Sequence, residues 1–225
     1  MSGKGAEFST EWARRPWAGT VREVILNYIL RPAIGVYTHP QVVGREKIEQ
    51  LSPPALFISN HSSHLDTPII LLSLPARWRR RTAVVAAADY FYRSRLIGSL
   101  VSLAFGTIPI ERARLSRESS ELIDRLIGSG WSLLFYPEGT RSRSGNMGRL
   151  RSGAGFLAIE HGVPVVPLYV QGTYDAMPTG RAWPVAHPVT VFVGAPVQAA
   201  PDDDHRSLTQ RLELSLDDLV RQATG

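Results

Sequence analysis

Ser59-Asn60-His61-Ser62-Ser63-His64-Leu65-Asp66 is the stretch on which the fold turns. It lies between one apolar run, Ala55-Leu56-Phe57-Ile58, and another, Ile69-Ile70-Leu71-Leu72, that follows Pro68. The first run reads as a short buried strand, the second as a helix over about 68–74. Asp66 and Thr67 stand where a helix N-cap is expected, and Pro68 suits the first helical turn. A strand that ends where a helix begins is where α/β proteins place their chemistry. Here that turn carries His61, His64 and Asp66. His61 and Asp66 are separated by a bend, so the turn can fold the carboxylate back onto the imidazole. A carboxylate on one ring nitrogen fixes the tautomer and leaves the other nitrogen as a base near neutral pH. Two other readings stay open on these residues alone. One is a structural turn in which His61 satisfies loop backbone. The other is a metal site made of His61, His64 and Asp66, which the spacing and the lack of cysteine disfavour.

The chain has 225 residues, enough for one large α/β domain, and at 44% hydrophobic it can bury a sizeable core. It has no cysteine. That excludes a disulfide framework, a thiol nucleophile and a cysteine-based zinc site, and fits a reducing compartment. The net charge is +5, and 23 of the 25 basic residues are arginine. From Arg77 to Arg151 there are 14 arginines against six acidic residues. The guanidinium fork binds phosphate, so an anionic ligand or an anionic membrane is expected. No nucleic-acid partner is expected, because no recognisable module or aromatic-interleaved basic strand accompanies the charge. No secretory signal is visible, and no uncharged apolar run reaches the ~20 residues of a transmembrane helix.

Taken in order, residues 1–10 show no period. Trp12-Ala13-Arg14-Arg15-Pro16-Trp17 mixes tryptophan with arginine, as headgroup interfaces do. Residues 21–30 repeat apolar side chains at helical spacing, which predicts an amphipathic helix broken at Pro32. That helix either packs on the core or lies in a membrane interface. Strands are expected over 41–47, 55–58, 82–88, 107–110, 131–136, 163–170 and 189–193. Between them fall helices over 68–74, from an Asp89 cap to about 100, over 115–127 and over 149–161. Arg77-Trp78-Arg79-Arg80-Arg81 is expected to meet phosphate headgroups. Residues 171–188 read as a long binding loop, and 208–220 as a terminal helix that only packs. The alternation of strand and helix signals gives an α/β fold. The division expected is 1–38, a tail and membrane-associating amphipathic helix, and 39–225, the catalytic domain.

Three strand ends present polar groups: His61 with Asp66; Glu111 with Arg112; and Glu138, Gly139, Thr140 and Arg141. Gly139 lets backbone approach a neighbour closely, while Thr140 and Arg141 supply donors. Together they suggest a base beside an anion site. The combination resembles the glycerolipid acyltransferase family, which acylates glycerol 3-phosphate and 1-acylglycerol 3-phosphate. Asn60-His61-Ser62-Ser63-His64-Leu65-Asp66 is similar to its N-H-x4-D block. Gly106-Thr107-Ile108-Pro109-Ile110-Glu111-Arg112 is similar to the second block. Phe135-Tyr136-Pro137-Glu138-Gly139-Thr140-Arg141-Ser142 is similar to the third, F-x-P-E-G-T-R-S. Val163-Pro164-Val165-Val166-Pro167-Leu168 is similar to the fourth. The resemblance runs from about 40 to 195, and the first and third blocks are the specific ones. Two positions depart: Ser62 stands where the family usually has Gln, and Arg151 where it usually has Lys.

The resemblance implies a mixed, mostly parallel sheet flanked by helices, with the site at strand ends. It implies that His61, oriented by Asp66, takes the proton of the acceptor hydroxyl, whose oxygen attacks an acyl thioester with no acyl-enzyme. It places Arg112 and Arg141 on the acceptor phosphate, with Glu138 and Thr140 shaping that pocket and Glu111, Gly139 and Arg151 in the same substrate site. Backbone N–H groups near His61 or Gly139 are the expected oxyanion donors. The acceptor expected is 1-acylglycerol 3-phosphate, with glycerol 3-phosphate or another lysolipid as alternative. The donor is carried on CoA or an acyl carrier protein, with no other cofactor and no metal. The setting expected is the cytoplasmic face of a membrane, held peripherally. Three rivals remain. A serine hydrolase lacks a G-x-S-x-G elbow. A dinucleotide site at Gly153-Ala154-Gly155-Phe156-Leu157-Ala158 lacks a strand before it, so helix packing is the better use of those glycines. A non-catalytic binder of anionic lipid needs the arginines but not His61.

Overall fold

The computed structural model describes residues 8–110 and 117–225. Seven strands form one sheet, β1 (Gln41–Val43), β2 (Leu56–Ser59), β3 (Thr82–Ala87), β4 (Thr107–Ile110), β5 (Ser132–Phe135), β6 (Val165–Gln171) and β7 (Thr190–Val193). Their order is β1-β7-β6-β2-β5-β3-β4, and every neighbouring pair is parallel except β6–β7. The central strands are buried on both faces, as parallel strands with helices on each side must be. Along β2, Phe57 joins one core cluster while Leu56 and Ile58 join the other; along β5, Leu134 and Leu133 divide the same way.

The chain opens with α1 (Pro16–Val24), a π-helical stretch over Ile25–Leu30, and α2 (Arg31–Thr38). The break expected at Pro32 does not occur. Proline removes an N–H and crowds the preceding turn, and the helix answers by widening: the Arg31 N–H donates to the Leu26 carbonyl, five residues back. Leu26 and Ile34 on this segment are buried in the core. Next come α3 (Asp66–Ser73), α4 (Ala76–Arg79), α5 (Ala88–Phe91) and α6 (Arg95–Phe105). Asp66 is the first residue of α3 and makes no cap bond; it turns back to the loop instead. The helix expected from Asp89 is two helices, and Ser94 caps the second by accepting from the Ile97 N–H. The expected strand over 41–47 stops at Val43, where Gly44 turns the chain into a 3-10 turn over Arg45–Ile48.

The basic stretch over 77–81 does not turn wholly outward. Trp78 is fully buried, edge-on to Phe57 at 5.3 Å, and that burial is worth ~1.5–3 kcal/mol. Arg79 is buried and forks onto Glu23 at 2.9 and 2.8 Å, while Arg77 donates to the Ile48 carbonyl at 3.0 Å. Arg77, Arg80 and Arg81 remain exposed.

The remaining helices are α7 (Arg117–Gly128), α8 (Gly153–His161), α9 (Thr173–Ala176) and α10 (His205–Thr224). α8 begins at Gly153, not 149, and α9 lies within what reads as continuous loop. α10 is started by an Asp204–Ser207 capping box and buries Leu208, Leu212, Leu216 and Leu219. A Cβ at Gly155 would stand 2.7 Å from Thr209 Oγ1 and 2.9 Å from the His205 carbonyl. Gly155 therefore serves the approach of α8 to α10, while a Cβ at Gly153 would meet nothing within 4 Å.

The topology puts the site in a crevice. After β2 the chain passes to α3, packed in the core cluster on one face; after β5 it passes to α8, in the cluster on the other. Adjacent parallel strands whose connections part in this way leave an opening at their carboxyl ends.

Candidate active site

His61 follows β2 by two residues and lines that opening. Its Nδ1 lies 2.9 Å from Asp66 Oδ2, and Asp66 is wholly buried. The same oxygen accepts the Ser62 and Ser63 backbone N–H groups, each at 2.8 Å, so the turn wraps around the carboxylate. Asp66 Oδ1 accepts the Thr173 hydroxyl at 2.5 Å. With Nδ1 engaged, Nε2 is the nitrogen left for a substrate proton.

Tyr136, the residue after β5, stacks on the His61 ring with centroids 3.9 Å apart and planes 19° from parallel. Its own hydroxyl pairs with Thr67 Oγ1 at 2.7 Å, and burial pushes its pKa well up, so it stays a neutral plate. Asn60 extends the β2–β6 ladder by one rung: its Nδ2 donates to the Val170 carbonyl at 2.9 Å, and its Oδ1 accepts the Val170 N–H at 2.8 Å.

Glu138 is placed differently from the expectation. Its carboxylate accepts the His61 N–H at 2.8 Å and the Gly148 N–H at 2.7 Å, tying the dyad turn to the loop after β5. Desolvation pushes its pKa up. It shapes the site from behind and is not among the residues lining the cavity. Gly139 has φ +75°, the left-handed region. What approaches it closely is Arg151, since a Cβ there would stand 2.9 Å from the guanidinium carbon.

Gly139, Thr140, Arg141 and Arg151 all line the cavity with His61. Glu111 and Arg112 lie outside the described residues. Of the backbone donors near His61 and Gly139, the N–H groups of His61, Ser62, Ser63 and Gly139 are engaged by Glu138, Asp66 and the Tyr136 carbonyl. Among the described residues no group of three or more His, Asp or Glu is arranged to hold a metal.

The cavity has a volume of 810 Å³, the size of a site for a substantial organic ligand. Its wall is mostly apolar: Leu30, Val84, Val101, Phe105, Ile110 and Leu157 among others, with Arg141, Arg143 and Arg151 as its cationic part. Arg141 donates to the Tyr90 hydroxyl at 3.1 Å and stands over that ring at 5.3 Å from its centre. The Tyr90 oxygen lies 3.2 Å from His64 Nε2. Desolvation, then the neighbouring Arg141, push His64 down to about 4, so a neutral ring is available to accept the tyrosine proton.

The two serines beside His61 turn away from it. Ser62 Oγ pairs with Thr173 Oγ1 at 3.1 Å, and Ser63 Oγ donates to the Met177 carbonyl at 2.7 Å. Neither is placed as a nucleophile for the imidazole. Thr173, Tyr136, Tyr90 and Arg143 were not singled out by sequence reasoning. Tyr136 lies inside the third block, Thr173 inside the loop read as a binding loop, and Arg143 inside the arginine-rich stretch.

A family model described as Acyltransferase matches residues 39–171. The chain is 32% identical over 166 residues to the chloroplastic 1-acyl-sn-glycerol-3-phosphate acyltransferase of Brassica napus, covering 72% of this chain and 46% of that protein. It is 31% identical over 167 residues to the Arabidopsis thaliana chloroplastic enzyme of the same name, covering 72% and 44%. The chain thus spans about half the length of these relatives. The fold is also that of the 1-acyl-sn-glycerophosphate acyltransferase PlsC from Thermotoga maritima, with TM-score 0.68, 22% identity and 95% and 83% of the two chains covered. The family model takes in the strand, turn and loop that build the His61 crevice, and on that match the chain belongs to the acyltransferase family.

Proposed function

We propose that this protein moves a fatty acyl chain from an acyl thioester to the free hydroxyl of 1-acylglycerol 3-phosphate. The observation that carries the reading is the His61–Asp66 pair opening into an apolar cavity with an arginine wall. The acceptor is the one for which these relatives are named. His61 Nε2 takes the hydroxyl proton as the acceptor oxygen attacks the thioester carbonyl. The tetrahedral intermediate collapses, the C–S bond breaks, and the proton passes from His61 to the leaving thiolate. General base catalysis of this kind supplies ~10²–10⁴-fold. The apolar wall takes the acyl chains. Arg141, Arg143 and Arg151 face the phosphate and the developing oxyanion, duties that the engaged backbone N–H groups do not meet. The donor is acyl-CoA or an acyl carrier protein, and the product feeds phospholipid synthesis.

The same reading places the protein peripherally on a membrane, at its cytoplasmic face. Trp17, Val24, Tyr28, Ile29 and Val36 on the N-terminal helix are exposed, as are Leu96, Ile97 and Leu100 on the neighbouring α6. Exposed apolar area of this extent marks an interaction surface. No helix among the described residues is long and apolar enough to cross a membrane.

The test is thiol release and lipid product from a long-chain acyl thioester and 1-acylglycerol 3-phosphate. His61→Ala abolishes transfer while vesicle binding stays near that of the unmodified protein. Arg141→Ala mainly raises the KM for the phosphorylated acceptor. Transfer that survives His61→Ala overturns the assignment of His61 as base, and lipid binding without transfer by the unmodified protein leaves a lipid binder.

A further inference from the structure

Asp66 is wholly buried, and its two oxygens are served unequally. Oδ2 accepts three donors: His61 Nδ1 at 2.9 Å and the Ser62 and Ser63 N–H groups at 2.8 Å. For Oδ1 the recorded partner among the described residues is the Thr173 hydroxyl, at 2.5 Å. An ionised carboxylate only accepts, so the threonine proton points at Oδ1. Thr173 has no second proton. The contact of 3.1 Å between Ser62 Oγ and Thr173 Oγ1 therefore runs from Ser62 to Thr173. Two hydroxyls in series end on the carboxylate that holds the imidazole.

We propose that Thr173 is a positioning residue of the dyad, and that Ser62 orients it. The inference rests on the proposed reaction at His61. Without the Thr173 hydroxyl, Oδ1 is a buried acceptor with nothing to accept. The carboxylate then gains by rotating, and rotation carries Oδ2 off Nδ1. Thr173 is well placed to prevent this, because it is itself wholly buried and fixed by its backbone. Gly172 before it has φ +89°, and a Cβ there would stand 2.2 Å from the Pro188 carbonyl. The Asn60–Val170 rung locks the end of β6 to the end of β2, and the Met177 carbonyl after α9 is held by Ser63. The dyad thus has a rear wall, and the segment 172–177 provides it.

The experiment measures kcat and KM for Thr173→Val, which keeps the shape and removes the hydroxyl, and for Thr173→Ser, which restores it. The expected result is a kcat roughly ten- to a hundredfold lower in Thr173→Val, the order of loss from a misplaced catalytic group, with KM for the acceptor unchanged. Thr173→Ser recovers most of it. A kcat left unchanged in Thr173→Val, a rise in KM with kcat intact, or no recovery with serine overturns the proposal. Should Thr173→Val fail to fold, Ser62→Ala takes its place: a severalfold drop in kcat supports the proposal and an unchanged kcat overturns it. The underlying reaction fails separately, if His61→Ala alone retains activity.

Discussion

His61 carries its function because its surroundings leave it one face and one nitrogen. Tyr136 covers the ring, Asp66 takes Nδ1, and Glu138 holds its backbone N–H. Asp66→Asn keeps the shape and removes the charge that favours the imidazolium formed during transfer. We expect kcat to fall ~10²–10⁴-fold with little change in KM, measured by thiol release under saturating donor. The pairing itself was legible in the residue types and their separation across the bend. The identity of the other partners was not. Glu138 reads as a pocket acid, yet lies closer to the two backbone N–H groups it satisfies. No local pattern brings residue 173 to residue 66, because a parallel strand pair separates them in sequence and joins them in space.

The N-terminal helix and α6 act as one element, and Arg22 is the reason. It is buried, and it donates to the carbonyls of Ala13 at 2.5 Å, Leu103 at 3.1 Å and Ser102 at 3.2 Å. The last two belong to the final turn of α6, where the Ser102 carbonyl also accepts the Gly106 N–H at 2.8 Å and the dipole favours a cation. Desolvation lowers its pKa to about 10, so the charge persists at neutral pH. Arg22→Gln is expected to cost ~1–3 kcal/mol, read from the urea midpoint, by removing the guanidinium donors from the Ala13 and Leu103 carbonyls. On the outer side, Tyr28 is 78% and Ile29 59% exposed. Tyr28→Ser with Ile29→Ser should weaken vesicle binding at least severalfold and leave the unfolding midpoint nearly unchanged; each apolar side chain inserted in a bilayer is worth ~1.5–3 kcal/mol. The helical period announced this segment correctly. That Pro32 would be absorbed by a wider turn depended on Leu26 and Ile34 packing on the core on both sides of it.

At the scale of the whole molecule, stability and the site are coupled through charge. His64 is held near 4, below the ordinary imidazole value of 6.5. Above that ordinary value both folded and unfolded chains hold it neutral. As pH falls toward 4 the unfolded chain takes up a proton that the folded chain refuses, so stability is lost across that window. His64→Gln is expected to flatten this part of the curve of urea midpoint against pH. An unchanged slope would remove His64 from the acid response. Glu138 works in the opposite sense: its raised pKa favours the folded chain at low pH and is lost as pH rises through it.

The sequence by itself determined the alternation of strand and helix, the base and its carboxylate, and an arginine-bearing loop beside them. Each depends on residues near one another along the chain, where period and turn chemistry act directly. The tertiary structure decided which donors remain unspent, what stacks on the imidazole, and which hydroxyl completes the carboxylate. These follow from strand order, which brings the ends of β2, β5 and β6 together. The energy that selects that order is the burial of two core faces at once, a property of the whole sheet.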